Sequence, residues 1–409
     1  MFQKYEEVTV TDLESLLQHD HRDFISHLVY DCNIRLKKGY VPNIKTLTLG
    51  NGFNKRLTEG CIPISCTKLV LMRNFNQIIK PGELPSSIKY LTFSDHYKIK
   101  LLEGSIPSSV TYLEFGHQYN ITLEKGIIPN SVTHLKMGLG YNRYMRDQAI
   151  PNSVRTLILG LNFNQSITTT GALPTNLERL DFGWAFNKPL VPGCFPPSLK
   201  SLRFGSNFSH PIPDNCLPQG LTLLEFGEFF NHSILGKIPS SVTSLRIGSD
   251  YQHDLDENCL PPSLLTLSIN SKYNNNIFGK NVLPQMLTSL SLCGYFNYQI
   301  PPNALPQSLL FLKLGHYFNC PILKDSIPSN VSTLIIGKIF NYPLEPQSLP
   351  ESITTISIEN SLYSHIPSLS FLPQSVKTLY VPYVLYIEIS SELIKLPPSI
   401  KLLIKRIDR

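Results

Sequence analysis

The sequence predicts a β-rich, right-handed solenoid with a parallel sheet on one face and a short N-terminal helical cap. Three observations lead there. Proline recurs at 42, 63, 85, 107, 129, 151, 174, 196, 218, 239, 261, 284, 306, 328, 350, 373 and 397, so the interval stays between 21 and 24 residues. A fixed period of that length marks stacked repeats and outranks other fold signals. A few residues after each proline, apolar residues alternate, as in Leu157 and Leu159, Leu180 and Phe182, Leu202 and Phe204, Leu224 and Phe226, Leu245 and Ile247, Leu312 and Leu314. Period two is that of a strand. The rest of each unit is too short for a helix and is interrupted by Pro and Gly, as in Lys80-Pro81-Gly82-Glu83 and Pro189-Leu190-Val191-Pro192-Gly193.

Bulk composition fits one elongated domain. Of the 409 residues 16% are charged and 42% hydrophobic, which is the balance of an ordered chain with a core to bury. The formal charge of +6 is mild, and apart from the tail Lys401 to Arg409 the basic residues are scattered, so nucleic acid is not an indicated partner. The opening Met1 to Glu7 lacks the apolar core of a signal peptide, and no apolar run has the length of a membrane span. The expectation is a soluble, cytoplasmic protein without a membrane segment. Cysteines at 32, 61, 66, 194, 216, 259, 293 and 320 form no Cys-x-x-Cys pair, which argues against zinc, and no other cofactor is implied. Cys61, Cys194, Cys216 and Cys259 each stand two residues before a repeat proline, the placement of a small buried thiol used as apolar filler.

In chain order, residues 1–40 read as an N-terminal helix and a degenerate first coil. Thr11-Asp12-Leu13-Glu14 has the spacing of a capping box, and Leu13, Leu16, Leu17, Phe24 and Leu28 share a helical face. Asn33 stands nine residues before Pro42, the same interval as Asn120 to Pro129, so a first coil begins before the first repeat proline. The helix is then expected to cover the open end of the stack, because an end coil would otherwise expose its core. Residues 41–360 form the repeat region of about 22 residues per coil. Residues 361–409 lose the repeat signature but keep strand-like Leu379-Tyr380-Val381 and Leu402-Leu403-Ile404, and read as divergent coils that cap the other end.

Within the repeat region each position has a role. Proline is preceded by Ile or Leu and followed by a polar pair and an aliphatic residue, as in Ile150-Pro151-Asn152-Ser153-Val154. Glycine ends the strand at 50, 116, 138, 160, 183, 205, 227, 248, 294, 315 and 337, where a turn is expected to need conformations that a Cβ restricts. An aromatic residue followed by asparagine comes next. This places Asn54, Asn76, Asn120, Asn142, Asn164, Asn187, Asn231, Asn274, Asn297, Asn319 and Asn341 at one site of successive coils, with Lys98, Ser209 and Gln252 as departures. An amide has donors and an acceptor for turn backbone, so these residues predict a structural asparagine ladder rather than an active site.

The repeated Phe-Asn and the run Ile-Pro-x-Ser-Val-x-x-Leu-x-Leu-Gly resemble FNIP repeats over residues 42–360. Val110-Thr111-Tyr112-Leu113-Glu114-Phe115 is similar to the core of leucine-rich repeats, and Leu260-Pro261-Pro262-Ser263-Leu264-Leu265-Thr266-Leu267 to the short leucine-rich repeats of bacterial effectors. Here the asparagine falls five residues after the second apolar strand position, as from Leu159 to Asn164, later than in ordinary leucine-rich repeats, which implies a different turn. The resemblance implies a leucine-rich-repeat-like solenoid that serves as a binding surface and carries no catalytic residues. Some FNIP-repeat proteins join the repeats to an F-box, which implies a second reading, the substrate-recognition subunit of a ubiquitin-ligase assembly with ligase components as partners. Residues 1–40 offer one helix and not the usual helical bundle.

If the alternate leucines point inward, the residues between them form an outward face. The candidate partner-binding residues are Tyr90, Tyr112, Glu114, Lys136, Asp181, Arg203, Glu225, Arg246 and Phe311 on that face, with Trp184, the only tryptophan, at its edge after Gly183, for recognition is placed on exposed surfaces of rigid scaffolds. Glu114 with Lys136, Asp181 with Arg203 and Glu225 with Arg246 also read as opposite charges that avoid repulsion between coils. His19-Asp20-His21-Arg22-Asp23 reads as a solvated face and not a metal site, since adjacent helical residues diverge. The glycosylation sequons at Asn120, Asn164, Asn207, Asn231 and Asn330 are discounted without a secretion signal, three of them lying on the repeat asparagine. A third reading, a weak polyanion binder, uses Lys401, Lys405, Arg406 and Arg409. No phosphate loop, nucleophile elbow or metal-ligand spacing is present, and the sequence predicts a non-catalytic protein-protein interaction scaffold.

Overall fold

Each apolar alternation becomes a strand of three to five residues, and within each unit described below the strands of successive coils pair in parallel. The computed structural model describes residues 5–167, 171–269, 272–273, 275–359, 372–383 and 399–405. It comprises two units, Met1–Gly205 and Ser206–Arg409.

In the first unit the strands are β1 (Tyr5–Val10), β2 (Ile25–Tyr30), β3 (Thr46–Leu49), β4 (Lys68–Leu71), β5 (Tyr90–Thr92), β6 (Tyr112–Glu114), β7 (His134–Lys136), β8 (Thr156–Ile158), β9 (Arg179–Asp181) and β10 (Ser201–Arg203). Their register superimposes the inward leucines, so that Leu28, Leu47, Leu69, Leu91, Leu113, Leu135, Leu157, Leu180 and Leu202 form one buried column. The second unit repeats the arrangement in β11 (Leu223–Glu225), β12 (Ser244–Ile247), β13 (Thr266–Ile269), β14 (Ser289–Leu292), β15 (Phe311–Lys313), β16 (Thr333–Ile336), β17 (Thr355–Ile358), β18 (Thr378–Pro382) and β19 (Lys401–Lys405). Its column runs from Leu224 through Leu245, Leu267, Leu290, Leu312, Leu334 and Ile356 to Leu379. A single coil has little apolar area to offset the entropy of ordering its chain, and stacking buries both of its faces.

The N-terminal helix is shorter than the span from Leu13 to Leu28 over which its apolar spacing runs. A short helix, α1 (Leu13–Leu17), is capped by Asp12, whose carboxylate accepts the Ser15 amide at 2.7 Å. Hydrogen bonds from Ser15 hold that carboxyl below its usual range. Phe24 ends a 3-10 turn (Arg22–Phe24), and Leu28 lies on β2, which pairs with β1 on one side and β3 on the other. The spacing of Leu28 suits either periodicity, and β-branched Ile25 and Val29 with Tyr30 favour the pleated form. Most of residues 361–398 and Arg406 to Arg409, including two residues of the basic-tail reading, lie outside the described residues, as does Asn274 of the asparagine series.

The strand-ending glycines are needed for a reason other than turn conformation. Of the eleven only Gly294 has positive φ, at 72°. A Cβ on Gly138, Gly160 or Gly205 would stand 1.8 Å from the carbonyl oxygen of the glycine one coil earlier, and on Gly183 1.6 Å. The backbones of successive coils touch there. Left-handed backbone instead occurs three residues before the repeat prolines from Pro42 to Pro350, at Gly39, Gly60, Gly82, Gly104, Gly126, Gln148, Gly171 and Gly193 in the first unit and at Asn215, Gly236, Asn258, Asn281, Asn303, Asp325 and Gln347 in the second. Glycine and asparagine dominate because they adopt it at least cost.

Side chains join the coils along three further lines. Buried aromatic rings follow one another at 6.1 to 6.3 Å from Phe53 through Phe75 and Tyr97 to Tyr119, and at 6.0 to 6.3 Å from Phe208 through Phe230 and Tyr251 to Tyr273. The serine two residues after proline donates to the backbone of the preceding coil, as from Ser109 to Ile88, Ser131 to Val110 and Ser308 to Leu287, each at 2.7 Å. At the repeat asparagine, the Oδ1 atoms of Asn54, Asn120, Asn142 and Asn164 accept the amides of Asn76, Asn142, Asn164 and Asn187 at 2.9 to 3.0 Å. Asn297 and Asn319 accept from Asn319 and Asn341 at 2.8 Å, and Asn231 accepts from Gln252 at 3.0 Å. Asn76 accepts from Lys98 at 2.9 Å, whose ammonium has no acceptor to pass the pattern on. Replacing Asn164 by Ala leaves the Asn187 amide without this acceptor, and an unfolding curve is expected to show a loss of about 1 to 3 kcal/mol.

Candidate functional site

The face between the inward leucines is the surface on which coils differ. Its residues are mostly half-buried, because each strand has a neighbour one sheet spacing away on either side. Tyr112, Glu114, Lys136, Asp181, Arg203, Glu225 and Phe311 are of this kind, whereas Tyr90, Trp184 and Arg246 are exposed.

In the first unit the face begins with an aromatic row. Tyr90 lies beside Tyr112 with ring centroids 6.0 Å apart, and Tyr112 beside His134 at 6.4 Å. The Tyr112 hydroxyl donates to Glu114 Oε2 at 3.2 Å, and Lys136 Nζ donates to Glu114 Oε1 at 2.6 Å. Burial and the Glu114 charge push the Tyr112 phenol up, and the bond to Glu114 pushes the Lys136 ammonium up. The Glu114–Lys136 pair thus spans two coils as the spacing suggests. Asp181 stands opposite Arg203 in register, yet it is also gripped by Arg179 of its own strand, with Nη2 at 2.6 Å and Nε at 3.2 Å. Glu225 and Arg246 oppose each other in register in the second unit, and Phe311 stands between Ser289 and Thr333.

The turn after the strand adds apolar groups that alternation does not reveal. Leu139, Leu161 and Trp184 each follow the strand-ending glycine in successive coils and are 39%, 49% and 52% exposed. In the second unit Tyr295 and Tyr317 stack at 4.3 Å, both on the surface. The signal for them was a large apolar residue just past the glycine, outside the repeated positions. Near β15, Lys313 Nζ and His316 Nε2 lie 4.0 and 3.9 Å from Glu359, and burial pushes the His316 ring below its usual range.

The opposite edge of the coils, at the left-handed residue and the proline, mixes polar and apolar groups. A cavity of about 810 Å³ lies there in the first unit, lined by Glu103, Lys125, Asp147, Gln148 and Asn152 among others, and Lys125 is tied to Gln148 at 2.6 Å. Cysteines 32, 61, 66, 194, 216 and 259 are buried thiols, with Cys293 and Cys320 partly exposed. Among the described residues no group of three or more His, Cys, Asp or Glu side chains is placed to hold a metal ion, and no helix is long and apolar enough to cross a membrane. His19 Nδ1 accepts the His21 amide at 3.2 Å.

The FNIP Repeat family matches the chain in ten segments, some of them overlapping, 33–74, 75–118, 100–140, 141–184, 186–229, 230–272, 273–317, 296–339, 318–361 and 340–383. No curated protein sequence matches. Among solved structures the chain is similar to CroV588, described as a novel circular LRR protein, at 32% identity and a TM-score of 0.79 over 93% of this chain. It spans 59% of that protein's length. It also resembles a chain in the Toll–Spatzle complex of Drosophila, at 12% identity and a TM-score of 0.54, covering 100% of this chain and 70% of that one, a likeness of fold alone.

Proposed function

The chain belongs to the FNIP-repeat family, and from that premise we propose that it is a non-catalytic scaffold that holds a protein partner on the outward face of its parallel strands. One observation carries the reading. Positions that stack are nearly invariant from coil to coil, while the positions between them change freely and present Tyr90, Arg246 and the adjoining Trp184 to solvent. Aromatic and arginine side chains on a rigid support are the groups that dominate protein interfaces. Leucine-rich-repeat folds resembling this one provide surfaces of that kind, and the partner's identity is set by the unrepeated residues.

The test is affinity purification of the full chain from cells, compared with Tyr90→Ala, Trp184→Ala and Lys125→Glu. The first two are expected to lose the partner with an unchanged melting curve, since their side chains are half-exposed or more. Lys125→Glu, on the opposite edge, is expected to retain it. Retention by both face variants, or loss with Lys125→Glu alone, would move the site to the cavity edge.

A further inference from the structure

We propose that the face of β3 to β6 is a docking site for an acidic, extended protein segment. The proposal rests on the scaffold reading above and names its partner class. Lys45, just before β3, Lys68, which opens β4, and Lys89, just before β5, are all exposed on adjacent coils. Among the described residues none of the three ammonium groups takes part in an ion pair or hydrogen bond. From Lys45 to Glu114 the outward strand positions and those just before each strand carry a single carboxylate, Glu114, already engaged by Lys136 at 2.6 Å. Farther along the same unit carboxylates join the basic groups on this face, Glu178 beside Arg155 and Asp181 beside Arg179. The coils of β3 to β5 carry lysines and no carboxylate at these positions.

The aromatic row lies against that stretch. Tyr112 has a ring on each side, Tyr90 and His134, so a partner meets ring edges more than ring faces. Ring edges are the electropositive part of an aromatic group, and together with the lysines they suit carboxylates. Thr46 and Thr92 add hydroxyls between them, able to bond the peptide groups of a chain laid across the strands. A single-stranded nucleic acid would need open ring faces for its bases to stack on, and the middle ring is already flanked, so a peptide fits better.

The experiment measures fluorescence anisotropy of a labelled Asp/Glu-rich peptide, the same peptide with its acids changed to Asn and Gln, and a labelled oligouridylate, each with the full chain. The acidic peptide is expected to bind, the neutral one not. Lys68→Gln with Lys89→Gln should weaken binding about tenfold, Tyr90→Ala with His134→Ala should weaken it at unchanged charge, and Lys324→Glu in the second unit should not. No acidic-peptide binding, equal binding by the neutral peptide or by the lysine variant, or tighter binding of oligouridylate lost with the same lysines, would each overturn the proposal. If such a result came while Tyr90→Ala and Trp184→Ala still lost the cellular partner, the scaffold reading would stand and only the acidic partner would fall.

Discussion

Gly160→Ala is expected to separate the coils on either side of it and to cost more than about 4 kcal/mol, the range of severe core disruption. The added Cβ would lie 1.8 Å from Gly138 O, and the same glycine presents its own carbonyl to Gly183, where a Cβ would stand 1.6 Å away. Both atoms in conflict are backbone, so no rotamer change relieves them. Gly193→Ala is the control. Gly193 has φ of +80° but nothing within 4 Å of a new Cβ, so only the left-handed conformation is penalised, by about 1 to 2 kcal/mol. Urea unfolding of the two variants separates contact from conformation. In a repeat array each coil is stabilised by its neighbours, so hydrogen exchange in Gly160→Ala should rise first in β7 to β9. Equal losses for the two variants would mean that coil contact at Gly160 is not limiting.

A steep loss of stability above pH 10 is the second large effect. Tyr97, Tyr119, Tyr141, Tyr251 and Tyr273 are at most 2% exposed. Burial raises each phenol above its ordinary value of 10.0, that of Tyr141 to about 12. Burial likewise pushes the Cys66 thiol from 9.0 to about 11. The unfolded chain therefore loses these protons at lower pH than the folded one. Their contribution is fully present below the unfolded pKa and is lost as pH rises toward the folded value, by about 1.4 kcal/mol per pH unit for each group. Tyrosinate absorbance and circular dichroism should change together in one alkaline transition, after the exposed tyrosines have ionised. Tyr97→Phe, which copies Phe75 of the adjacent coil, should move that transition upward. Ionisation of all tyrosines near pH 10 with the fold intact would contradict it.

Much of the scaffold was legible in the residues because it repeats. The interval between prolines and the alternation at Leu157 and Leu159 located the strands, and recurrence marks Asn164, whose Oδ1 accepts the Asn187 amide. The candidate face was legible only as the complement of the repeated positions. That sufficed for Glu114 with Lys136, but not for Asp181, which also takes a partner on its own strand. Leu161 and the Tyr295–Tyr317 stack escaped alternation because a turn residue has no period to betray its direction, and Trp184 was legible only as the single tryptophan after a strand-ending glycine.

By itself, then, the sequence determined the unit of the fold: its length, its strand, its buried column and the residue types at each corner. Those follow from local rules, alternation and turn chemistry, applied again and again along one chain. Tertiary structure alone decided how closely the units approach. That Gly160 is required by the carbonyl of Gly138, and that Ile25 to Tyr30 form a strand and not the end of a helix, both depend on atoms of a neighbouring coil. The physical reason is the same in each case. A backbone contact between coils leaves no side-chain pattern of its own, so its cause is visible only when both coils are in place.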